Sequence, residues 1–478
     1  MDHIFTATGL LLLFEWLIRL GFILYIPRKR APSSAIAWLL VVFLLPEFGI
    51  LLFLFLGSTK LSRHRQKIQK YLNALIEKSV KRLPNSVEVS ERYQSIVDLS
   101  QNLGKMPLSV GNSVRILPDY NKAIQDITLQ IDEATEFIHL EYFILAYDAT
   151  TQPVFEALER AVQRGVTVRV LFDWFGSRKQ QRYRYMKREL TRIGAQWHMI
   201  LPLRVGKHYN RPDLRNHRKI VVIDDTVAYL GSQNMIDRTY HRKDHIVYDE
   251  LVVALSGPVV RQCDALFASD WYSETNEDLR ALVDPVKRPI AFHDGTVKAQ
   301  VVPSGPGYQV LGNLQLFAQL LYTAQKRVVI TNPYFIPEES LMVACKSAAQ
   351  RGVEVILINS EVIDQIGVGY AQRSFYEELL EAGVKIYLHK APVLLHSKHL
   401  TIDDDIAVIG SSNMDIRSFA LDLECVVTLY DQGVVKELEK VQERDLKNSR
   451  LLTLKVWKTR PLRHKFLESI MRLTSALQ

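Results

Sequence analysis

Two long apolar stretches stand at the start of the chain, at residues 4–26 and 35–56. Each is about as long as a bilayer-spanning helix, roughly 20 residues. Glu15 and Arg19 interrupt the first stretch four residues apart, a spacing at which they neutralise each other on one helix face. Pro46-Glu47 interrupts the second. The pattern predicts a transmembrane helical hairpin; two helices in the membrane interface are the alternative, and without a cationic leader a signal peptide fits poorly.

Further along, short apolar runs alternate with helical stretches, and this order occurs twice. EFIHLEYFIL (136–145) corresponds to KRVVITNPYFIP (326–337), and VTVRVLFD (166–173) corresponds to VEVILINS (353–360). Continuous apolar runs predict strands that are covered on both faces. Strands alternating with helices favour a mixed sheet between two helical layers, and the duplication favours two such units.

The sequence therefore predicts an α/β protein of two pseudo-symmetric α/β/α lobes preceded by the membrane hairpin. We expect the hairpin over residues 1–59, a polar helical linker over 60–110 and the first lobe over 111–280. The second lobe would cover 281–478 and end in an amphipathic helix.

The charge of the chain indicates an anionic partner. The 478 residues carry a net charge of +8, and 47% apolar with 23% charged residues is typical of a globular protein. Nucleic acid and an acidic lipid surface both fit this charge. Cys263, Cys345 and Cys425 are far apart and outside any CxxC pattern, so we expect buried thiols and neither a disulfide scaffold nor a zinc site.

One motif occurs in both lobes. His217, Lys219 and Asp224 form HxKxxxxD, and six residues later GSxN contributes Ser232 and Asn234. The second copy has the same spacing and consists of His396, Lys398, Asp403, Ser411 and Asn413. Five such positions coincide by chance less than about once per million start points at ordinary residue usage. Two copies inside a repeat are not accidental.

The motif suits chemistry on a phosphodiester. Side chains two residues apart on a strand share a face, so each histidine is expected beside its lysine. Pseudo-symmetry would bring both pairs to the boundary between the lobes, where two ammonium groups and the Ser and Asn donors hold a phosphate. One imidazole would attack phosphorus while the other protonates the leaving oxygen. We expect Asp224 and Asp403, at the far ends of the strands, to be structural more than catalytic. No metal or other cofactor is expected.

The duplicated motif resembles that of the phospholipase D superfamily over nearly the whole chain after the apolar stretches. The resemblance implies a phosphohistidine intermediate, and an acidic residue downstream of each motif that orients its histidine. By spacing, Asp249 corresponds to the first acid and Glu424 to the second. Glu250, next to Asp249, leaves the first assignment open.

Within that superfamily, several stretches are similar to bacterial cardiolipin synthases, although this chain has Asn332 where that family usually has threonine. The similar stretches are IHLEYFIL (138–145), GSQNMIDR (231–238), TNPYFIPEESL (331–341) and GSSNMDIRSF (410–419). The resemblance implies that two phosphatidylglycerol molecules give cardiolipin and glycerol in the bacterial cell membrane. It favours His217 as nucleophile and His396 as general acid and then base, although the symmetry of the motifs leaves the reverse open.

Two further segments are candidates for contact with the membrane. The basic segment 204–218 either grips acidic head groups or is a solvated loop. Residues 457–478 place Phe466, Ile470, Leu473 and Leu477 on one helical face, which either lies in the interface or packs on the body. A slight excess of Lys and Arg after the second apolar stretch favours a cytoplasmic catalytic body.

Other functions remain open on the same fold. A phosphodiesterase or nuclease explains the basic charge, but it needs no apolar stretches, so no nucleic-acid partner is expected. A hydrolytic phospholipase D, a phosphatidylserine synthase and an inactive membrane scaffold are the remaining alternatives. The oligomeric state is not predicted.

Overall fold

The computed structural model describes residues 2–28, 32–57, 61, 65–67, 89–203, 211–240, 245–284, 288, 294–308 and 311–473. The apolar start of the chain forms helices α1 (Asp2–Tyr25), α2 (Pro32–Leu44) and α3 (Pro46–Leu56). The expected continuous second helix is wrong: it is broken at Pro46, which has no backbone N–H to donate, and Leu45 leaves the helical region. Among the described residues, no helix combines the length and the apolar character needed to cross a membrane.

Helices α1 to α3 share a small core of their own and expose most of their other apolar side chains. The core consists of Ile26, Ala35, Val42 and Phe53. Glu15 and Arg19 form the ion pair that their spacing predicts. The exposed side chains include Leu13, Phe14, Trp16, Leu17, Leu20, Leu40, Leu44, Phe48, Leu51, Leu54 and Phe55.

Helix α4 (Glu91–Gly104) lies in the stretch that was expected to be a polar linker. That expectation is wrong for this helix, because Tyr93, Ile96 and Leu103 form an apolar stripe buried in the core of the second lobe. The expected helical residues 68–88 lie outside the described part of the chain.

The first lobe alternates strands and helices as expected. Its elements are β1 (Ser109–Leu117), α5 (Tyr120–Glu133), β2 (Phe137–Tyr142), α6 (Gln152–Gln163), β3 (Thr167–Asp173), α7 (Trp174–Arg178), α8 (Tyr183–Arg192), β4 (Gln196–Ile200), β5 (Arg215–Asn216), β6 (Ile220–Ile223), β7 (Val227–Gly231), β8 (Val247–Asp249), β9 (Val252–Ser256), α9 (Val259–Thr275) and α10 (Arg280–Val283).

The second lobe repeats this order and adds elements at its end. Its elements are β10 (Val297–Ser304), α11 (Gly312–Thr323), β11 (Arg327–Thr331), β12 (Phe335–Ile336), α12 (Glu339–Gln350), β13 (Glu354–Ser360), α13 (Ile366–Arg373), α14 (Tyr376–Glu381), β14 (Lys385–His389), β15 (Val393–Leu395), β16 (His399–Ile402), β17 (Ile406–Gly410), β18 (Met414–Asp415), α15 (Ile416–Ala420), β19 (Asp422–Tyr430), α16 (Gln432–Lys447), β20 (Ser449–Leu452), α17 (Leu454–Lys458) and α18 (Leu462–Leu473).

Both lobes contribute to one continuous mixed sheet. Its strand order is β20-β14-β13-β11-β16-β17-β19-β10-β1-β9-β7-β6-β2-β3-β4. The lobes join where β1 pairs antiparallel with β10, with Ser109 opposite Ala299. On either side of this junction the strands follow the same order, so the sheet confirms the predicted mixed α/β fold and carries the pseudo-twofold symmetry.

Helices cover both faces of the sheet. One core of the first lobe lies under α5, α6 and α8, and its counterpart in the second lobe lies under α4, α11 and α12. On the other face, α9 and α16 share a single core with strands from both lobes. Cys263, Cys345 and Cys425 are buried and free within these layers.

Two short strand pairs cross from one lobe to the other. Strand β5 runs parallel to the start of β19, with Asn216 opposite Leu423. Strand β15 runs parallel to β8, with Leu395 opposite Asp249. Each pair lies immediately before a motif histidine, so the polypeptide of each lobe places its own histidine against a strand of the other lobe.

Candidate active site

The two histidines lie at the same edge of the sheet. His217 lies three residues before β6, which runs antiparallel to β2, and His396 lies three residues before β16, which runs antiparallel to β11. Each imidazole is therefore near the carboxyl end of the neighbouring strand. The Phe143 ring centroid is 5.0 Å from that of His217, and the Tyr334 ring centroid is 6.0 Å from that of His396.

Each histidine is paired with a carboxylate from the other lobe. Nδ1 of His217 lies 2.9 Å from Oε1 of Glu424, and Nδ1 of His396 lies 2.8 Å from Oε1 of Glu250. The backbone N–H of His217 also donates to the Leu423 carbonyl at 2.8 Å. An accepting carboxylate at Nδ1 favours the tautomer protonated there, which leaves the Nε2 lone pair for chemistry.

The expected pairing of each acid with the histidine of its own motif is wrong, and Asp249 is not the first orienting acid. The Asp249 carboxylate is 2.9 Å from Nη2 of Arg444, and only its backbone carbonyl, at 2.7 Å, accepts from the N–H of His396. Side chains alternate along a strand, so the next residue, Glu250, faces the imidazole. The sequence held a signal for this, because ELVVAL at 250–255 matches ECVVTL at 424–429.

The two motif lysines are buried beside the histidines. Nζ of Lys219 donates to the His217 carbonyl at 2.6 Å, and Nζ of Lys398 lies 3.0 Å from Nδ1 and 3.2 Å from Nε2 of His396. Burial lowers the pKa of Lys219 to about 8 and that of Lys398 to about 7, although Glu250 and Glu424 partly oppose both shifts. The positive charges of the two ammonium groups are thus only partly balanced by the nearby carboxylates, and a bound anion would balance them further.

The two histidine–carboxylate pairs differ in the direction in which the pKa of the carboxylate is shifted. Burial, followed by the charges of Lys219 and Lys398, holds the pKa of His217 well below its usual value. Burial raises the pKa of its partner Glu424 to about 7. For Glu250, burial acts in the same direction but is outweighed by His396 and Lys398, so its pKa is lowered and it remains ionised. Burial lowers the pKa of His396 too, but its ionised partner Glu250 partly offsets that shift.

The serines and asparagines of the GSxN segments are less free than expected. The Ser411 hydroxyl bonds to Glu424 and accepts from the Cys425 N–H at 3.1 Å, and the Ser232 hydroxyl accepts from the Leu251 N–H at 2.9 Å. Both serines therefore hold the carboxylate-bearing strands. Asn234 accepts from the Ile144 N–H at 3.1 Å, whereas Oδ1 of Asn413 is buried without a hydrogen-bond partner among the described residues.

Asp224 and Asp403 lie away from the histidines, at the opposite edge of the sheet. Asp224 accepts from the backbone N–H groups of Thr135 at 2.7 Å, Glu136 at 2.9 Å and Phe137 at 2.8 Å. Asp403 accepts from the backbone N–H groups of residues 325–327 in the same way. Each acid fastens the end of its own strand to the start of the neighbouring strand, which is a structural position.

A buried charge network lies beneath His217 and was not predicted from the sequence. Arg218, fully buried, pairs with Asp270 and donates through Nε to the Glu424 carbonyl at 3.1 Å. Asn216 donates to Oε1 of Glu141 at 2.9 Å. Arg218 thereby supports the backbone that carries Glu424. The sequence contained one indication of its burial: Arg218 stands between His217 and Lys219, so its side chain points to the opposite face from theirs.

Metal-ligating side chains do not converge here: among the described residues no three His, Cys, Asp or Glu side chains are grouped as a metal site would require. The basic segment 204–218 is only partly described, since residues 204–210 lie outside the described ranges. Of its remainder, Arg211 pairs with Asp213 and Arg215 with Asp173.

Comparison with known proteins agrees with this architecture. The model of the family described as cardiolipin synthase, phospholipase D-like domain, matches residues 127–271 and 317–446. Cardiolipin synthase A of Wigglesworthia glossinidia brevipalpis is 32% identical over 98% of this chain and 96% of its own length. Cardiolipin synthase of Geobacillus kaustophilus is 31% identical over 94% of this chain and 90% of its own.

Among solved structures, the phosphatidylserine synthase of Haemophilus influenzae superposes with a TM-score of 0.62 at 16% identity, over 82% of this chain and all of that one. This likeness shows a shared fold. The family model and the full-length relatives show more: the chain belongs to the cardiolipin synthase family, whose members have a phospholipase D-like domain.

Proposed function

We propose that the protein is a cardiolipin synthase, which transfers a phosphatidyl group between two phosphatidylglycerol molecules and releases glycerol. The observation that carries the proposal is the pair of histidine–carboxylate contacts made across the lobes, His217 with Glu424 and His396 with Glu250. Full-length similarity to relatives named cardiolipin synthase supports the choice of substrate. One phosphodiester replaces another, so the reaction needs no nucleotide.

The transfer proceeds in two displacements at phosphorus. Nε2 of His217 attacks the first phosphatidylglycerol, an N–P bond forms, and the P–O bond to the glycerol head group breaks as His396 protonates the departing oxygen. His396 then takes the proton from a hydroxyl of the second phosphatidylglycerol. That oxygen attacks phosphorus and the N–P bond breaks, which restores both histidines and leaves cardiolipin.

The electrical difference between the pairs supports this division of labour. A nucleophile must be unprotonated, and burial together with two lysine charges keeps the pKa of His217 low. A general acid must hold a proton; burial lowers the pKa of His396 as well, but the Glu250 carboxylate partly offsets that shift. Lys219 and Lys398 meet the charge that grows on the phosphoryl oxygens during attack.

Helices α1 to α3 would attach the enzyme to the bacterial cell membrane. Their exposed leucine, phenylalanine and tryptophan side chains, from Leu13 to Phe55, form an apolar surface of the kind that marks contact with lipid. Lys and Arg around the second apolar stretch favour a cytoplasmic position for the lobes. Attachment concentrates both lipid substrates at the site and so favours lipid over water as the acceptor.

The test is incubation of the purified full chain with labelled phosphatidylglycerol in mixed micelles, followed by separation of lipid classes. Cardiolipin and glycerol should form without CDP-diacylglycerol. Phosphatidic acid as the sole product would identify a hydrolase instead, and strict dependence on a CDP-lipid would refute the transfer scheme.

A further inference from the structure

A cluster of cations follows β3 in the first lobe. In residues 174–192 the acidic member is Glu189, which Arg192 binds at 2.7 Å. Among the described residues, no carboxylate pairs with the six other cations of this segment, which are Arg178, Lys179, Arg182, Arg184, Lys187 and Arg188. We call the surface formed by residues 174–188 the cationic face.

Aromatic rings support these cations in place of carboxylates. The Arg178 guanidinium lies 4.8 Å from the Trp174 ring centroid, Nζ of Lys179 lies 3.8 Å from that of Phe175, and Nζ of Lys187 lies 4.8 Å from that of Tyr183. Phe175 and Tyr185 are themselves 40% and 37% exposed. An open pocket lies between Trp174, Tyr183 and the surrounding arginines. Exposed aromatic rings among unpaired Lys and Arg are typical of surfaces that contact anionic membranes.

The cationic face adjoins the candidate active site. Helix α7 begins where β3 ends, at the sheet edge that carries the histidines, and Gly176 packs so closely that a Cβ there would be 2.5 Å from the Phe143 carbonyl oxygen. The Phe143 ring in turn contacts His217. Arg215, two residues before His217, stacks on Phe175 at 5.1 Å.

The equivalent position in the second lobe is apolar and exposed. Helix α13 follows β13 as α7 follows β3, and Ile366 at its start is 77% exposed. Helix α18 packs against α13, where His464 stacks on Tyr370 at 5.9 Å between ring centroids, yet Phe466 remains 67% exposed. The two lobes thus offer complementary contacts, cationic and apolar.

We propose that the cationic face docks on an anionic phospholipid bilayer and turns the mouth of the active site toward the lipid head groups, independently of α1 to α3. The proposal rests on the lipid function proposed above. Its partner is the bilayer surface, because the cations are spread over an exposed face among aromatic rings that suit the head-group region.

The test uses the full chain in lipid nanodiscs and an environment-sensitive fluorophore on a single introduced cysteine. Gln181→Cys places the fluorophore on the cationic face, and Gln163→Cys, exposed at the end of α6, is the matched position on the opposite edge. The native cysteines are buried and do not compete for the label. We expect a blue shift at position 181 in phosphatidylglycerol nanodiscs, none in phosphatidylcholine nanodiscs, and none at position 163 in either.

Charge neutralisation then tests the cause. Replacing Arg178, Arg182, Arg184 and Arg188 by Gln should lower the ratio of docked to undocked protein at a given phosphatidylglycerol fraction by on the order of tenfold or more. The control neutralises four exposed cations elsewhere, Arg115, Arg160, Lys326 and Lys385, whose surface ion pairs contribute little stability, and should keep the shift. Thermal unfolding verifies that both variants fold.

Each outcome decides one proposal. A shift of equal size in phosphatidylcholine, or one that survives the four Arg→Gln changes, overturns docking by charge. A shift caused by single-stranded RNA and not by lipid overturns it in favour of a nucleic-acid surface. Cardiolipin formation without a shift at position 181 refutes the docking face alone, whereas a shift without cardiolipin formation refutes the proposed reaction alone.

Discussion

Replacing Glu250 by Gln tests the crossed histidine–carboxylate pairs directly. Glu250 lies 2.8 Å from Nδ1 of His396, and both side chains are buried. The carboxylate stabilises the imidazolium that His396 becomes when it removes the proton of the incoming hydroxyl. A hydrogen bond to a charged group contributes about 1.5–3 kcal/mol. Because His396 is neutral before the second displacement and becomes an imidazolium during it, most of that energy is lost from the transition state of that step.

A loss of about 1.5–3 kcal/mol corresponds to a fall in kcat of roughly 10- to 150-fold. The assay is cardiolipin formation from phosphatidylglycerol in mixed micelles, with thermal unfolding as a measure of folding. Asp249→Asn is the matched control on the neighbouring residue. Its carboxylate pairs with Arg444, which is 41% exposed, so kcat should stay within about twofold of wild type. If Asp249→Asn loses as much activity as Glu250→Gln, the orientation of this strand is wrong and the reasoning fails.

Four further predictions follow from the same geometry. His217→Ala and His396→Ala should each abolish turnover. In the His396→Ala protein, a nitrophenyl phosphodiester should leave an acid-labile, base-stable label on His217. Label on His396 in the His217→Ala protein would instead make His396 the nucleophile. Tungstate, a phosphate-like anion, should bind more weakly as the pH rises through about 7 to 8. Burial lowers the pKa of Lys398 to about 7 and that of Lys219 to about 8, so raising the pH removes their positive charge. Equal calorimetric affinity at pH 6 and pH 9, each roughly a unit beyond these values, would contradict this. Asp224→Ala should lower the free energy of unfolding by about 2–4 kcal/mol, because it deprives three backbone donors of their acceptor. The kcat per folded molecule should change little. A large loss of kcat without a loss of stability in denaturant would make Asp224 catalytic. Deleting residues 1–57 should release the folded lobes from membranes in high salt, because α1 to α3 have their own core; sedimentation with vesicles at high salt would show that these helices are not the main anchor.

Much of the fold could be predicted because its signals are local. The apolar runs that became β3 and β13 are buried strands, and the glycines that follow helices α6 and α12, Gly165 and Gly352, have positive φ as helix ends require. The continuity of the sheet through β1 and β10 was not predictable, since strand pairing across the lobes depends on a register that neither strand encodes alone.

In the candidate site too, local features were predicted and contacts between distant segments were not. The histidines and lysines were found from spacing, because both belong to one short segment of chain. The orienting acids were expected beside the histidine of their own motif, Asp249 beside His217 and Glu424 beside His396. Both pairings are wrong, because each acid-bearing strand meets the other lobe and because Glu250, not Asp249, faces His396. The buried Arg218 was missed because an arginine beside a lysine reads as surface charge until its partner Asp270 is known.

The two strand pairs that cross between the lobes also determine when, during synthesis of the chain, the motif histidines acquire their carboxylate partners. His217 leaves the ribosome 207 residues before its carboxylate Glu424. At about 5–20 residues per second, the nascent chain exists for roughly 10 s or more with a motif histidine that nothing orients. We therefore expect a chain that stops short of residue 424 to be inactive, because its His217 lacks the carboxylate that orients it.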